Sequence, residues 1–129
     1  MKRGIKDMLA EADAAITALS PAEAAQAVED GAVLVDLRDI RELKREGRVP
    51  GAFHAPRGML EFWVDPESPY HKDIFASGKR FVFFCAAGWR SALATKTVQD
   101  MGLEPVAHIT GGFGAWRGAG LPVEKDEGK

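Results

Sequence analysis

Short apolar runs alternate with helical segments along this chain, and that alternation constrains its fold more than any other feature. The apolar runs fall at residues 32–37, 52–55, 80–84 and 106–109. Helical segments are predicted between and after them, at residues 39–46, 57–64, 68–75, 91–101 and 113–118. Strands that alternate with helices form a parallel sheet covered by helices on both faces. The pattern therefore predicts a doubly wound α/β domain with a parallel sheet of about five strands, in which ligands bind at the carboxyl ends of the strands.

Two further helices are predicted before the first of these runs. The first is amphipathic, because apolar residues recur at spacings of three and four at Ile5, Met8, Leu9, Ala12, Ile16 and Leu19. The second begins at Ser20, where Pro21 suits the first helical position and Glu23 completes a capping box, and Gly31 ends it.

These signals divide the chain into three parts. Residues 1–19 form an N-terminal amphipathic extension, residues 20–123 the main domain, and residues 124–129 a tail that we expect to be disordered. The extension is expected to dock on the domain, which is the simpler interpretation, or to serve a partner.

Composition bounds the compartment and the class of partner. The 129 residues suit one domain, and their net charge of -2 favours neither a nucleic-acid nor a membrane-surface partner. The single cysteine cannot form an intramolecular disulfide, so a reducing compartment fits best. Acidic residues interrupt any signal-peptide core near the N-terminus, and the longest strongly apolar stretch, residues 81–87, is far too short to span a membrane. The sequence therefore predicts a cytoplasmic protein.

That single cysteine, Cys85, lies where a predicted strand becomes a predicted helix. The residues that follow it, Ala86, Ala87 and Gly88, are small enough for the backbone to curl so that several amide N–H groups point at the sulfur. The helix N-terminus and the guanidinium of Arg90 both favour the thiolate over the thiol. The same ring of amides suits the anionic outer sulfur of a persulfide. Taken alone, a lone cysteine is more often a buried apolar residue, but the combined pattern predicts a nucleophile.

Four motifs in this order resemble those of single-domain rhodaneses, the thiosulfate-type sulfurtransferases. The motifs are Val-Leu-Val-Asp-Leu-Arg at residues 33–38, Gly-Arg-Val-Pro-Gly-Ala at residues 47–52, the loop from Cys85 to Ser91, and Gly111-Gly112-Phe113 with Ala115-Trp116 and Gly120-Leu121-Pro122. The resemblance covers residues 20–123 and leaves the N-terminal helix outside. It implies a doubly wound α/β domain, a catalytic Cys85, and a loop from Ala86 to Arg90 whose backbone amides bind the transferred sulfur.

The length of this loop favours sulfur transfer over phosphate chemistry. The related phosphatases and arsenate reductases have five residues between cysteine and arginine, whereas here there are four, which makes a narrower ring suited to one sulfur atom. A phosphatase would also need a carboxylic acid near the leaving group. Asp36 and Glu61 are candidates for that acid, but the sequence does not position them.

The side chains around the loop have alternative interpretations. Arg90 either binds the donor anion or pairs with a carboxylate that orders the loop, and the two roles are compatible. Trp89 either shields the sulfur from water or is a partly exposed loop aromatic. Ser91 is expected to cap the helix. Arg57 is predicted to bring a positive charge and an apolar wall to the mouth of the pocket, where it would draw in an anion.

Other polar residues are assigned structural roles. Asp36 and Arg38 are expected to tie loops together at the active edge, and His54 to form a structural hydrogen bond. His54, His71 and His108 lack metal-ligand spacing, so no metal site and no organic cofactor are predicted. The two glycines at residues 111–112 are expected to turn the chain after a strand, and Trp116 to pack in the core.

The predicted reaction has two half-reactions through a Cys85 persulfide. The thiolate takes a sulfane sulfur from a small anionic donor such as thiosulfate, and an acceptor thiol or cyanide then removes it. The acceptor must be another molecule, such as a partner protein, because the chain has no second cysteine. Two alternatives remain: a persulfide carrier or docking module loaded by a partner protein, and, less favoured, a relative of phosphatases and arsenate reductases.

Overall fold

Five parallel strands form one sheet in this computed structural model, which describes residues 1–126. The strands are β1 (Ala18–Leu19), β2 (Val33–Asp36), β3 (Phe53–His54), β4 (Phe81–Phe84) and β5 (Val106–Ile109), and their order in the sheet is β1-β5-β4-β2-β3. Every pairing is parallel. The α/β class and the strand count therefore agree with the sequence prediction.

Six α-helices precede, connect or follow the strands within residues 1–126. They are α1 (Ile5–Ala15), α2 (Pro21–Glu29), α3 (Ile40–Glu46), α4 (Leu60–Val64), α5 (Trp89–Met101) and α6 (Gly112–Gly118), and short 3₁₀ turns occupy Arg57–Met59 and Asp73–Ala76. Of the helical segment predicted at residues 68–75, only the 3₁₀ turn at its end forms. No helix within residues 1–126 is long and apolar enough to cross a membrane.

Local capping chemistry fixes the starts of two helices. The Ser20 hydroxyl accepts the amide of Glu23 at 3.1 Å, and the Glu23 carboxylate accepts the amide of Ser20 at 2.8 Å, which completes the predicted capping box at α2. Asp39 and Glu42 make the same reciprocal pair at α3, and Gly47 ends that helix at φ 93°. Each such cap supplies partners for amides that the first helical turn leaves unpaired.

The N-terminal extension contributes to the sheet. Helix α1 ends at Ile16 in extended backbone, and Leu19, predicted as part of the helical stripe, lies in β1 instead. The carbonyl of Leu19 accepts the amide of Thr110 at 2.8 Å, so pairing with β5 outweighs continuation of the helix. Helix α1 itself packs along α5, where Gln99 donates to the carbonyl of Ala15 at 2.8 Å.

Apolar side chains cover both faces of the sheet. Val82 and Phe84 of β4 pack in one cluster with residues of α2 and α6, and the alternate residues Phe81 and Phe83 pack in a second cluster with residues of α4 and α5. This burial on both faces explains why the strands read as continuous apolar runs. At the start of the predicted tail, Glu124 exchanges two backbone hydrogen bonds of 2.8 Å with Arg48, and residues 127–129 lie outside the described residues.

Candidate active site

Cys85 directly follows β4 at the carboxyl edge of the sheet, and its side chain is buried with 1% of its surface exposed. The amide N–H of Gly88 donates to its Sγ at 3.1 Å, and the amide of Ser91 points at the same atom from 3.4 Å. Gly88 adopts φ 111° as the residue before α5, so the loop closes and the helix N-terminus meets the sulfur. The partial positive charge of these amides stabilises a negatively charged sulfur.

Helix α6 binds the backbone of the loop from Cys85 to Ser91, which we call the sulfur loop. The amides of Phe113 and Gly114 donate to the carbonyl oxygens of Cys85 and Ala86 at 2.8 and 3.1 Å. A Cβ on Gly112, at φ 58°, would lie 2.4 Å from the carbonyl oxygen of Cys85. The predicted turn of the chain at this glycine is present, but its tight approach to the loop was not predicted. These hydrogen bonds hold the loop in the shape in which the amides of Gly88 and Ser91 face the sulfur.

Arg90 forms a two-bond ion pair with Glu42 of α3. Its two terminal nitrogens donate to the two carboxylate oxygens at 2.8 and 2.9 Å. The hydrogen bond from this guanidinium holds the pKa of Glu42 at about 2, well below the ordinary 4.5. The same hydrogen bond raises the pKa of Arg90, and the nearby sulfur of Cys85 raises it further. Of the two roles predicted for Arg90, the structure shows the pairing that orders the loop and keeps a permanent positive charge near Cys85.

The prediction that Ser91 caps α5 is wrong. Gly88 occupies the cap position without a side-chain cap bond, because Ser91 lies within the first helical turn. The Ser91 hydroxyl instead lies 3.6 Å from Sγ of Cys85, 3.3 Å from the carbonyl oxygen of Gly88 and 2.9 Å from Nδ1 of His108 on β5. Sequence reasoning missed this histidine as a neighbour of the sulfur, although a histidine in the middle of the apolar run of β5 is a usable signal.

His108 is buried, and its environment is partly polar. Burial lowers the pKa of its imidazole, and the carboxylate of Asp13 on α1 partly opposes that decrease. His108 also lines a cavity of about 300 Å³ beside the sulfur loop, together with Asp13, Trp89 and Thr110. Trp89 is 65% exposed, which favours the interpretation of an exposed loop aromatic over that of a lid on the sulfur.

Asp36 and Arg38 form a buried ion pair at the end of β2, at 2.8 Å. Arg38 also donates to the carbonyl of Gly47 at 3.0 Å and stacks over the ring of Phe113, 3.9 Å from its centroid. His54 hydrogen-bonds the carbonyl of Arg38 at 2.7 Å. These residues tie α3, α6 and β3 to the active edge, which is the structural role expected from the sequence.

Arg57 does not line the cavity that Asp13 and His108 share. Its guanidinium donates to Glu61 at 2.7 Å, and its side chain lines a cavity with Met8 of α1 and Leu93 of α5. Its predicted role in drawing in the donor stays a prediction. No group of three His, Cys, Asp or Glu side chains suited to a metal ion occurs in the described part of the chain.

Comparisons with known proteins match this architecture. A model described as the rhodanese-like domain matches residues 20–119. The thiosulfate sulfurtransferase GlpE of Actinobacillus pleuropneumoniae is 28% identical over 109 residues, which are 84% of this chain and 93% of that protein. The chain spans 49% and 64% of the lengths of two other curated relatives, one from Synechocystis and one from mouse.

Two solved structures extend the comparison. A protein of unknown function from Rhodopseudomonas palustris CGA009, called a possible tyrosine phosphatase, is 59% identical with a TM-score of 0.92, and the match covers 96% of each chain. The polysulfide-sulfur transferase homodimer of Wolinella succinogenes is 30% identical with a TM-score of 0.71, over 95% of this chain and 88% of that one. The family model matches residues 20–119, and the cysteine loop follows β4 of the parallel sheet. The chain therefore belongs to the rhodanese-like domain family.

Proposed function

We propose that this chain is a sulfurtransferase that moves a sulfane sulfur from a small anionic donor to a thiophilic acceptor through a persulfide on Cys85. In the first half-reaction the thiolate attacks the outer sulfur of the donor, and the sulfur–sulfur bond of the donor breaks to release an anion, sulfite in the case of thiosulfate. In the second, an acceptor thiol or cyanide attacks the outer sulfur of the persulfide and releases the Cys85 thiolate. The scheme uses no metal or organic cofactor.

The observation that carries this proposal is the position of the Cys85 sulfur at the focus of its own loop. Two amides point at it, from 3.1 and 3.4 Å, and helix α6 holds the loop in that shape through the carbonyls of Cys85 and Ala86. These two preformed donors stabilise the thiolate, and they also suit the anionic outer sulfur of a persulfide. Only four residues separate Cys85 from Arg90, so the loop is narrow.

The relatives suggest the class of donor. One related protein is named a thiosulfate sulfurtransferase and another a polysulfide-sulfur transferase. Both substrates carry a sulfane sulfur on an anion, and the positive charge of Arg90 close to Cys85 favours the approach of such a donor. A partner protein that loads or unloads the persulfide remains the alternative to a free small-molecule substrate.

A phosphatase is the second candidate, because the Rhodopseudomonas palustris protein that is 59% identical is called a possible tyrosine phosphatase. Phosphate-ester cleavage through a cysteine needs a carboxylic acid that protonates the leaving group. The two candidates for that acid, Asp36 and Glu61, are each bound to an arginine, at 2.8 and 2.7 Å. Both carboxylates are thus held by arginines that lie outside the loop of Cys85.

An intact-mass measurement tests the proposal directly. The protein is incubated with thiosulfate or with polysulfide, and the Cys85→Ser variant is the matched control. Transfer adds about 32 Da for one sulfur atom to the wild type alone, and a cyanide chase removes it. Failure of both donors to add this mass would refute a small-molecule sulfurtransferase. Turnover of an aryl phosphate that disappears in Cys85→Ser would instead support the phosphatase.

A further inference from the structure

A continuous chain of polar atoms runs from the buried sulfur into β5. Sγ of Cys85 lies 3.6 Å from Oγ of Ser91, and Oγ lies 2.9 Å from Nδ1 of His108. The exposed fractions of the three residues are 1%, 0% and 6%. The single hydroxyl proton of Ser91 can be donated to the carbonyl of Gly88, at 3.3 Å, or to the imidazole, at 2.9 Å. In the second, shorter arrangement the hydroxyl is placed to accept a proton from the thiol and to donate its own proton to the imidazole.

A buried thiol needs such an acceptor before it can act as a nucleophile. The amides around Sγ stabilise a thiolate, but they cannot take up its proton. The guanidinium of Arg90 is always protonated, so it is no base. Glu42, with a pKa of about 2 and both oxygens bound to Arg90, is a very weak base. The hydroxyl of Ser91 connects the thiol instead to the imidazole of His108, which can accept a proton.

His108 meets the requirements of a base. Burial lowers its pKa, so the imidazole is neutral at pH 7 and one ring nitrogen carries a free lone pair. The charged group that faces it is Asp13 of α1, which favours the protonated imidazole. On the other elements against β5, Arg90 of α5 is paired with Glu42, and Arg117 of α6 lies 3.6 Å from Glu46. Strands β1 and β4 carry only Ala, Leu, Phe and Val side chains.

We propose that His108 accepts the proton of the Cys85 thiol through the hydroxyl of Ser91. The S–H bond breaks as an Oγ–H bond forms, and the original hydroxyl proton of Ser91 passes to Nδ1, so the products are a thiolate and an imidazolium with no change of oxidation state. The cavity of about 300 Å³ that His108 shares with Asp13 offers the proton a way to solvent. His108 acts as a positioning residue, because it works through Ser91.

This relay deepens the proposed function, since it assigns the group that ionises the nucleophile of sulfur transfer. It also gives the N-terminal helix a part in the chemistry. Asp13 lies on α1, outside the residues that the family model matches, and the segment after α1 pairs with β5 so that Ala18 is opposite His108. The relay thus depends on a pairing between the extension and the main domain.

The pH dependence of Cys85 alkylation by iodoacetamide tests the relay. Because the relay would move the thiol proton to His108, we expect alkylation of the wild type to persist to a lower pH than in variants that lack the relay. His108→Asn keeps a hydrogen-bonding group where Nδ1 stood but cannot take up a proton. We expect its midpoint to rise by about one pH unit and its rate at pH 6 to fall about tenfold, with the wild-type rate retained at pH 10.

Three further variants sharpen the test. Ser91→Ala removes the link and should shift the midpoint as far as His108→Asn does. Asp13→Asn should shift it in the same direction by less, and because Asp13 is exposed this change leaves the core intact. His71→Asn is the matched histidine control and should leave the profile unchanged. Midpoints of His108→Asn and wild type that agree within about 0.2 unit would overturn the relay.

The assay also covers two further cases, an unstable His108→Asn variant and a failure of the proposed function. If His108→Asn is too unstable to measure, an unchanged midpoint in Asp13→Asn overturns the proposal and a raised one supports it. The assay uses no sulfur donor. A wild-type profile that depends on His108, in a protein that gains no sulfur mass from thiosulfate or polysulfide, would refute sulfur transfer from a small-molecule donor and support the relay.

Discussion

Replacing Glu42 by glutamine measures how much the ion pair with Arg90 stabilises the folded chain. The folded-state pKa of about 2 and the ordinary value of 4.5 differ by about 2.5 units. At about 1.4 kcal/mol per unit, this difference sets an upper limit of about 3–4 kcal/mol. The side chain of Arg90 is 41% exposed, so solvent screening lowers the expected loss of unfolding free energy to about 2 kcal/mol at pH 7.

The pH dependence of this loss has a definite direction. Because the pKa of Glu42 is lower in the folded state than in the unfolded state, its contribution is complete above pH 4.5 and declines as the pH falls toward 2. At pH 3 less than half of it remains, which is below about 1 kcal/mol. The destabilisation of Glu42→Gln relative to the wild type should therefore shrink by more than half between pH 7 and pH 3.

Urea denaturation of both proteins at the two pH values provides the measurement. Glu46→Gln is the matched control on the same helix, because the contacts of Glu46 with Arg45 and Arg117 are longer, at 3.4 and 3.6 Å, and partly exposed. We expect it to cost less than about 0.5 kcal/mol. A loss in Glu42→Gln that is equal at pH 7 and pH 3, or no greater than that of Glu46→Gln, would refute the reasoning.

Three other predictions follow from the packing around the site. Gly112→Ala should lower the free energy of unfolding by about 2–4 kcal/mol and slow persulfide formation, because the added Cβ meets the carbonyl oxygen of Cys85. In urea denaturation, Gly31→Ala should cost clearly less, because Gly31 also has positive φ but open space around it. Asp36→Asn should cost about 3–5 kcal/mol, since it leaves Arg38 buried without its counter-charge, and a thermal midpoint close to the wild-type value would contradict this. Ser20→Ala should cost about 1 kcal/mol by loss of the cap of α2, measured by thermal unfolding.

Helix starts and strand positions were largely predictable because their causes are local. The capping box at Ser20 acts on neighbouring backbone and is present as predicted. The predicted helical segments 39–46 and 91–101 end where α3 and α5 end, each just before a glycine. Buried strands are recognisable as continuous apolar runs, and β5 accordingly has the bounds predicted from its run. The two-residue strand β1 was missed because its extended form depends on hydrogen bonds to β5, about ninety residues further along the chain.

The sequence by itself determined the fold class and the place of Cys85 between a strand and a helix. The alternation of apolar runs with helices specifies a parallel sheet. A cysteine between a strand and a helix, followed by small residues, specifies a loop whose backbone amides face the sulfur. Both patterns act over a few residues of backbone. The tertiary structure decided which side chains meet there. The contacts of Ser91 with His108, of Arg90 with Glu42, and of Gly112 with the sulfur loop each join distant parts of the chain. Such contacts depend on how strands and helices pack, which no local pattern encodes.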